Sequence, residues 1–132
     1  MRLTSRSEYA LLALLYIARN EGRRVSVSEI AKEQEIPVKF LEQIVLVLRQ
    51  NGFLSSTKGR GGGFELIVKP ENIALADVVR LFDGALAPTK SASRFYYQAT
   101  PIEREPKLHG LFKQVRDRIA AIMESTKLSD ML

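Results

Sequence analysis

The sequence predicts a mainly α-helical chain carrying one small β-hairpin wing, an α+β winged helix-turn-helix followed by a long C-terminal helix. Three observations lead there. Leu41, Ile44, Val45 and Leu48 recur at i, i+3, i+4 and i+7, so a helix there buries one side and projects Lys39, Glu42, Gln43, Arg49 and Gln50 elsewhere. Directly after it, Phe53 to Thr57 and Phe64 to Val68 flank Lys58, Gly59, Arg60, Gly61, Gly62 and Gly63. Two short strands joined by a glycine-rich, cationic tip fit that pattern. Near the end, Leu108, Leu111, Phe112, Val115, Ile119, Ile122 and Met123 keep one stripe, with Lys113, Arg116, Asp117 and Arg118 outside it.

Taken in order, Ser5 with Glu8 three residues on has the form of a capping box, which starts the first helix there. From Tyr9 to Ile17 apolar residues fall on almost every side, so several neighbours should bury this helix. Asn20 to Arg24 make the turn. Ser26 with Glu29 repeats the capping signature and predicts a short second helix from Val27 to Gln34, with Ile30 and Ala31 inward. Glu35 and Ile36 then turn the chain. Pro37 suits the first position of the third helix, where a missing N–H costs nothing, and Asn51 with Gly52 stops that helix. After the hairpin a fourth helix runs from Leu75 to Phe82, with Leu75, Val78, Val79 and Phe82 inward and Gly84 as its stop. Residues 85–106 lose the pattern: they hold prolines, Ser91, Ser93 and the aromatic cluster Phe95, Tyr96, Tyr97. The chain therefore divides into a winged helix-turn-helix over 1–84, a loop over 85–106, and a helix with a short terminal clip over 107–132.

Composition narrows the chemistry. A chain of 132 residues with 45% apolar content is one ordinary domain with a real core. It has no cysteine and one histidine, which excludes disulfides, thiolate nucleophiles and cysteine-held metals and disfavours any histidine-based site. No metal and no cofactor are expected. The patterns of serine hydrolases and zinc proteases are missing, so no enzyme is expected either. No apolar run approaches a membrane span and the N-terminus lacks a signal-peptide order, which predicts a cytoplasmic protein without a membrane partner. The net charge of +5 is unevenly placed: residues 1–69 hold eleven Lys/Arg against seven Asp/Glu, the rest nine against eight. An excess of cations beside the third helix and hairpin suits a polyanion, by release of its counterions.

In a helix-turn-helix the second helix of the motif lies in the major groove, its N-terminal residues on base edges. That gives Val38 a thymine methyl, Lys39 a phosphate or guanine, Glu42 a cytosine amine and Gln43 an adenine. The solvated face of a core helix would show the same spacing, and the hairpin is what favours contact. Lys58, Gly59, Arg60 and Gly61 put cations where the backbone can approach a duplex closely. Gly59, Arg60, Gly61 also begin a dinucleotide-type glycine pattern, but Phe64 takes its last position and a strand follows instead of a helix. The aromatic cluster Phe95, Tyr96, Tyr97 suits either an effector or partner loop or, in the favoured reading, an anchor for the loop on its own domain. The final stripe is too long for so small a domain to cover. Leu108, Leu111, Phe112, Val115, Ile119 and Ile122 are therefore assigned to the seam of a two-fold dimer, with folding back on the same chain as the alternative.

With these residues in place, the chain resembles the Rrf2 family of small bacterial winged-helix repressors. The likeness lies in MRLTSRSEYALLALLYIA, FLEQIVLVLRQNGFLSSTKGRGGGF, LHGLFKQV and TKLSDML. The resemblance implies a homodimeric DNA-binding regulator, with Glu42 at the position of a base-reading glutamate, Lys39 where a DNA-contacting serine stands, and Lys58 in place of a wing arginine. Lysine keeps the charge and loses the planar fork. His109 matches a histidine that follows three cluster-binding cysteines in some members, and SASRFYYQATPIEREPKL has none of those cysteines. The chain is thus similar to a cluster-free branch, open to a small-molecule or protein effector. The expected partners are a second copy and double-stranded DNA with a palindromic operator. The competing reading is a protein-interaction adaptor working through the aromatic loop and the last helix.

Overall fold

The computed structural model describes residues 1–132. Helix α1 (Ser5–Arg19), α2 (Val27–Glu33) and α3 (Val38–Gln50) precede the hairpin β1 (Leu54–Thr57) and β2 (Gly63–Leu66), and α4 (Leu75–Asp83) and α5 (Pro106–Ser125) follow. The strands are antiparallel, with Leu54 opposite Leu66 and Thr57 opposite Gly63. Helix α1 is the centre of the fold. Its Ala10, Ala13, Leu14 and Ile17 are buried among Leu41, Ile44 and Leu48 of α3, Val78 of α4 and Leu54 of the hairpin. Small alanines on one side let those neighbours approach closely, and the leucines and isoleucines fill the space between.

The start of α1 differs from the expected capping box. Thr4, not Ser5, is the cap, its side chain accepting from the Ser7 N–H. The carboxylate that completes the site comes from Asp83 at the far end of α4: it accepts from the Thr4 N–H at 3.3 Å, from the Thr4 hydroxyl, and from the fully buried Ser7 hydroxyl at 2.6 Å. An anion at a helix N-terminus offsets the positive end of its dipole. Here that anion also ties α4 to α1.

The second cap is half as expected. Ser26 Oγ accepts from the Glu29 N–H at 3.1 Å, while the Glu29 carboxylate turns to Arg23, at 3.0 Å from Nη1, and to the Tyr16 hydroxyl. Arg23 and Tyr16 hold Glu29 down at a pKa of about 2, Arg23 being the larger cause; the shared acid in turn pushes the Tyr16 phenol up. Helix α2 ends at Glu33, with Gln34 as its cap. Glu35 takes a left-handed conformation, φ 55°, and the Ile36 N–H reaches back to Ala31 O at 2.9 Å. Pro37 is the cap of α3, and Val38 its first residue, one position later than expected. The hairpin strands, four residues each, are likewise one residue shorter than the expected Phe53 to Thr57 and Phe64 to Val68.

The segment 85–106 is built more firmly than its composition suggests. It forms short 3-10 turns at Lys90–Ala92 and Pro101–Arg104. Ser91, Ala92 and Ser93 are buried, with His109 Nε2 3.0 Å from Ser91 O and Arg116 Nη1 donating to Ala92 O at 2.9 Å. Two residues seven apart on α5 thus meet successive carbonyls of the loop. At the end of the chain, Leu128 enters the core, and Leu75 N–H to Thr126 O (3.0 Å) and Leu128 N–H to Ile73 O (2.8 Å) clip the tail beside α4.

Candidate nucleic-acid interface

Helix α3 buries Leu41, Ile44, Val45 and Leu48 and leaves Val38, Lys39, Glu42 and Gln43 exposed. The i, i+3, i+4, i+7 spacing makes both faces at once. Val38, Glu42, Leu46 and Arg49 follow one line up the exposed side, because residues three or four apart stack on a helix. Val38 is 44% exposed, Phe40 50% and Leu46 43%. Phe40 meets Tyr9 of α1 edge-on, with ring centroids 5.9 Å apart. Sequence reasoning did not single out Phe40 or Leu46. Their signal was available, since both fall outside the buried stripe and neither is a residue that water prefers.

The hairpin stands beside this line. Glu42, Leu46 and Arg49 of α3 and Ser56, Thr57 and Lys58 of the wing border an open concavity of about 390 Å³. Arg49 Nη1 donates to Ser56 Oγ at 3.3 Å across it. The structure thereby brings Glu42 and Lys58 to one groove. Gly59, Arg60 and Gly61 lie beyond it at the exposed tip, and Val38, Lys39 and Gln43 lie outside its lining. One acid bordered by cations on a concave surface matches a base-reading carboxylate among phosphate-neutralising side chains.

The tip needs its glycines. Gly59 and Gly61 have φ of 91° and 71°, and a Cβ on Gly62 would lie 2.2 Å from the Thr57 carbonyl oxygen. The wing's root is fixed by Val25, which exchanges both backbone hydrogen bonds with Phe64 (3.0 and 2.8 Å), and by the Arg24 to Glu65 ion pair at 3.2 Å. The wing therefore projects at a set angle from the body that carries α3.

The comparisons with known proteins bear on the same residues. The sequence profile of Rrf2, described as an iron-dependent transcriptional regulator, matches residues 3–132. The chain belongs to the Rrf2 family. It is 35% identical to an Rrf2-like HTH-type transcriptional regulator of Rhodobacter capsulatus over 98% of this chain and 91% of that one. It is 31% identical to the HTH-type transcriptional regulator IscR of Escherichia coli over 100% of this chain and 80% of that protein. The solved structure of CymR, the global cysteine regulator of B. subtilis, superposes with a TM-score of 0.77 at 26% identity, covering 99% of this chain and 95% of CymR. The Rrf2 fold and its DNA-binding regulatory role are thus those of this chain, and the adaptor reading is not favoured.

Iron-dependence in the Rrf2 description raises the question of an iron site. The donor set here does not fit one. There is no thiolate, the single His109 ring faces the Ser91 carbonyl, and no three His, Asp or Glu side chains gather as ligands would.

The remaining candidate residues divide. Ile119 and Met123 of α5 pack on Ala76, Val79 and Leu86 of their own chain, so folding back accounts for that part of the stripe. Leu108, Leu111 and Ile122 stand 44%, 51% and 65% exposed, with Phe112 and Val115 half-buried. Phe95, Tyr96 and Tyr97 are also exposed, at 66%, 48% and 58%. Contrary to the expectation, their rings do not anchor the loop by burial; the buried Ser91, Ala92 and Ser93 do that. Phe95 instead packs by its ring against the guanidinium groups of Arg80 (5.0 Å) and Arg94 (5.8 Å), both of which reach Glu124, at 2.7 and 3.6 Å. These cations, Arg80 first, hold the Glu124 carboxyl below its usual range. Tyr97 donates to Glu103, which raises its phenol. No helix is long and apolar enough to cross a membrane.

Proposed function

We propose that this protein is a homodimeric, sequence-specific repressor of the cytoplasm that acts by binding and not by turnover. Two copies meet through Leu108, Leu111 and Ile122, with Phe112 and Val115 at the margin of the seam, and occupy a palindromic operator so that promoter DNA is blocked. Each protomer lays the start of α3 in a major groove, with Val38, Lys39, Glu42 and Gln43 toward the bases and Lys58, Gly59, Arg60 and Gly61 of the wing toward the neighbouring minor groove or phosphates. The two α3 helices then stand about 34 Å apart, one turn of duplex. The observation that carries this reading is the shared groove, which Glu42 and Arg49 of α3 line together with the wing's Lys58.

The test is selection of bound fragments from random and genomic DNA, followed by binding titrations on the recovered site. A two-fold symmetric motif with half-sites one turn apart is expected. Glu42→Ala should change the preferred base at one position per half-site by about 1–3 kcal/mol while sparing random DNA, whereas Lys58→Ala with Arg60→Ala should weaken every sequence alike. Recovery of no motif, or equal losses on operator and random DNA for Glu42→Ala, would overturn the assignment.

A further inference from the structure

The exposed face of α3 carries one side chain that the core does not use. Residues three, four and seven apart share a helical face, so Lys39, Glu42 and Gln43 precede Leu46 on one strip and Gln50 follows it. All five are exposed, and Leu46, 43% exposed, is the apolar one among them. It belongs neither to the buried core nor to the half-buried apolar residues packed against that core. Phe40, also apolar and exposed on α3, differs in having the Tyr9 ring beside it.

Leu46 also borders the concavity that Glu42 and Arg49 share with the wing. None of the cations around it, Lys39, Arg49 and Lys58, forms an ion pair. Unpaired cations about an apolar side chain suit a partner that is anionic at its borders and apolar at one point within. The major groove of B-DNA is such a surface: phosphates form its walls, and among the base edges on its floor the one apolar group is the C5 methyl of thymine. Leu46 comes four residues after Glu42, about 6 Å along the helix, which corresponds to one or two base pairs. Val38 lies as far on the other side, so two apolar groups bracket the acid.

Resting on the placement of α3 in the major groove given above, we propose that Leu46 determines specificity by receiving the C5 methyl of a pyrimidine one or two base pairs beyond the base that Glu42 reads. The operator then carries thymine at that position. A 5-methylcytosine there presents the same methyl at the same place in the groove, so methylation of a cytosine at this position strengthens binding. Cytosine methylation is thereby sensed by the reading helix itself. Covering one methyl with Leu46 is worth about fourfold in affinity per half-site, and about fifteenfold over a symmetric operator.

The test is a set of binding titrations of the intact protein and of Leu46→Ala on the operator recovered by selection, with symmetry-related thymines replaced in turn by deoxyuridine, which removes only the methyl. Glu42→Ala locates the base that Glu42 reads. At the thymines one or two pairs from that base, the unaltered protein should lose about fifteenfold, and Leu46→Ala should bind both duplexes within about twofold of each other. With cytosine in place of those thymines, 5-methylcytosine should be bound about fifteenfold more tightly than cytosine by the unaltered protein. Should Leu46→Ala misfold, these comparisons of duplexes on the unaltered protein still decide. No methyl response at those positions, while Glu42→Ala still shifts base preference, would overturn the role of Leu46 and leave the placement of α3 standing. An undiminished methyl response in Leu46→Ala would give the methyl to another residue and overturn it equally. Equal losses on operator and random DNA for Glu42→Ala would instead overturn the placement of α3, and the role of Leu46 with it.

Discussion

Salt dependence offers a sharp test of the reading heads, because its magnitude follows from a count of side chains. Lys39, Arg49, Lys58 and Arg60 are the exposed cations of α3 and the wing, so the proposed dimer brings eight to the duplex, twice four. Each neutralised phosphate contributes about −0.9 to the slope of log K against log salt, which gives a slope of about −7. Raising salt fourfold, from 50 to 200 mM, should then weaken binding about 10⁴-fold. Removing two cations per protomer with Lys58→Ala and Arg60→Ala leaves four per dimer, a slope near −3.6, and a loss of only about 150-fold over the same range. Fluorescence anisotropy on a labelled operator at four or five salt concentrations measures both slopes. Tight binding by the unaltered protein with a slope shallower than about −3 would refute the counting, and an unchanged slope in the double variant would remove the wing from the interface.

Two further predictions concern the scaffold. Asp83→Ala strips the charged acceptor from Thr4 and from the buried Ser7 hydroxyl, and should cost about 2–3 kcal/mol in urea unfolding at fixed protein concentration, with Asp83→Asn losing about half as much; a loss under about 0.5 kcal/mol for Ala would show that the α1 cap does not depend on it. Glu29 titrates at about 2 in the folded chain, below the ordinary carboxylate value of 4.5, so its contribution is fully present above pH 4.5 and disappears as pH falls through 2. With its side chain about a third exposed, solvent screening holds that contribution to about 1 kcal/mol, and Glu29→Gln should flatten the stability profile across that window as followed by circular dichroism.

What could be read along the chain was whatever depends on neighbours in sequence. The stripe Leu41, Ile44, Val45, Leu48 located α3 and its free face, Ser26 located α2, and Gly84 with φ 79° closed α4 where its residue type indicated. The misplaced cap at α1 has the opposite character. Glu8 lay three residues from Ser5 and completed a local pattern, while the carboxylate that serves the helix start is Asp83, 79 positions from Thr4. Nothing in local spacing encodes that distance. The loop 85–106 shows no pattern in sequence for the same reason, since its order comes from His109 and Arg116 reaching two carbonyls from another element.

The sequence by itself determined the order and kind of the elements, the cationic glycine wing and the lack of cysteine ligands, because helix and strand periods, glycine's backbone freedom and the donor atoms present are properties of residues and their near neighbours. Tertiary structure alone decided that Glu42 and Lys58 border one groove, and that Ile119 and Met123 turn inward while Leu108, Leu111 and Ile122 stay out. Each of those depends on the angle at which α1 is met by its neighbours. That angle is set by the packing of side chains distant in sequence, and no local period records it.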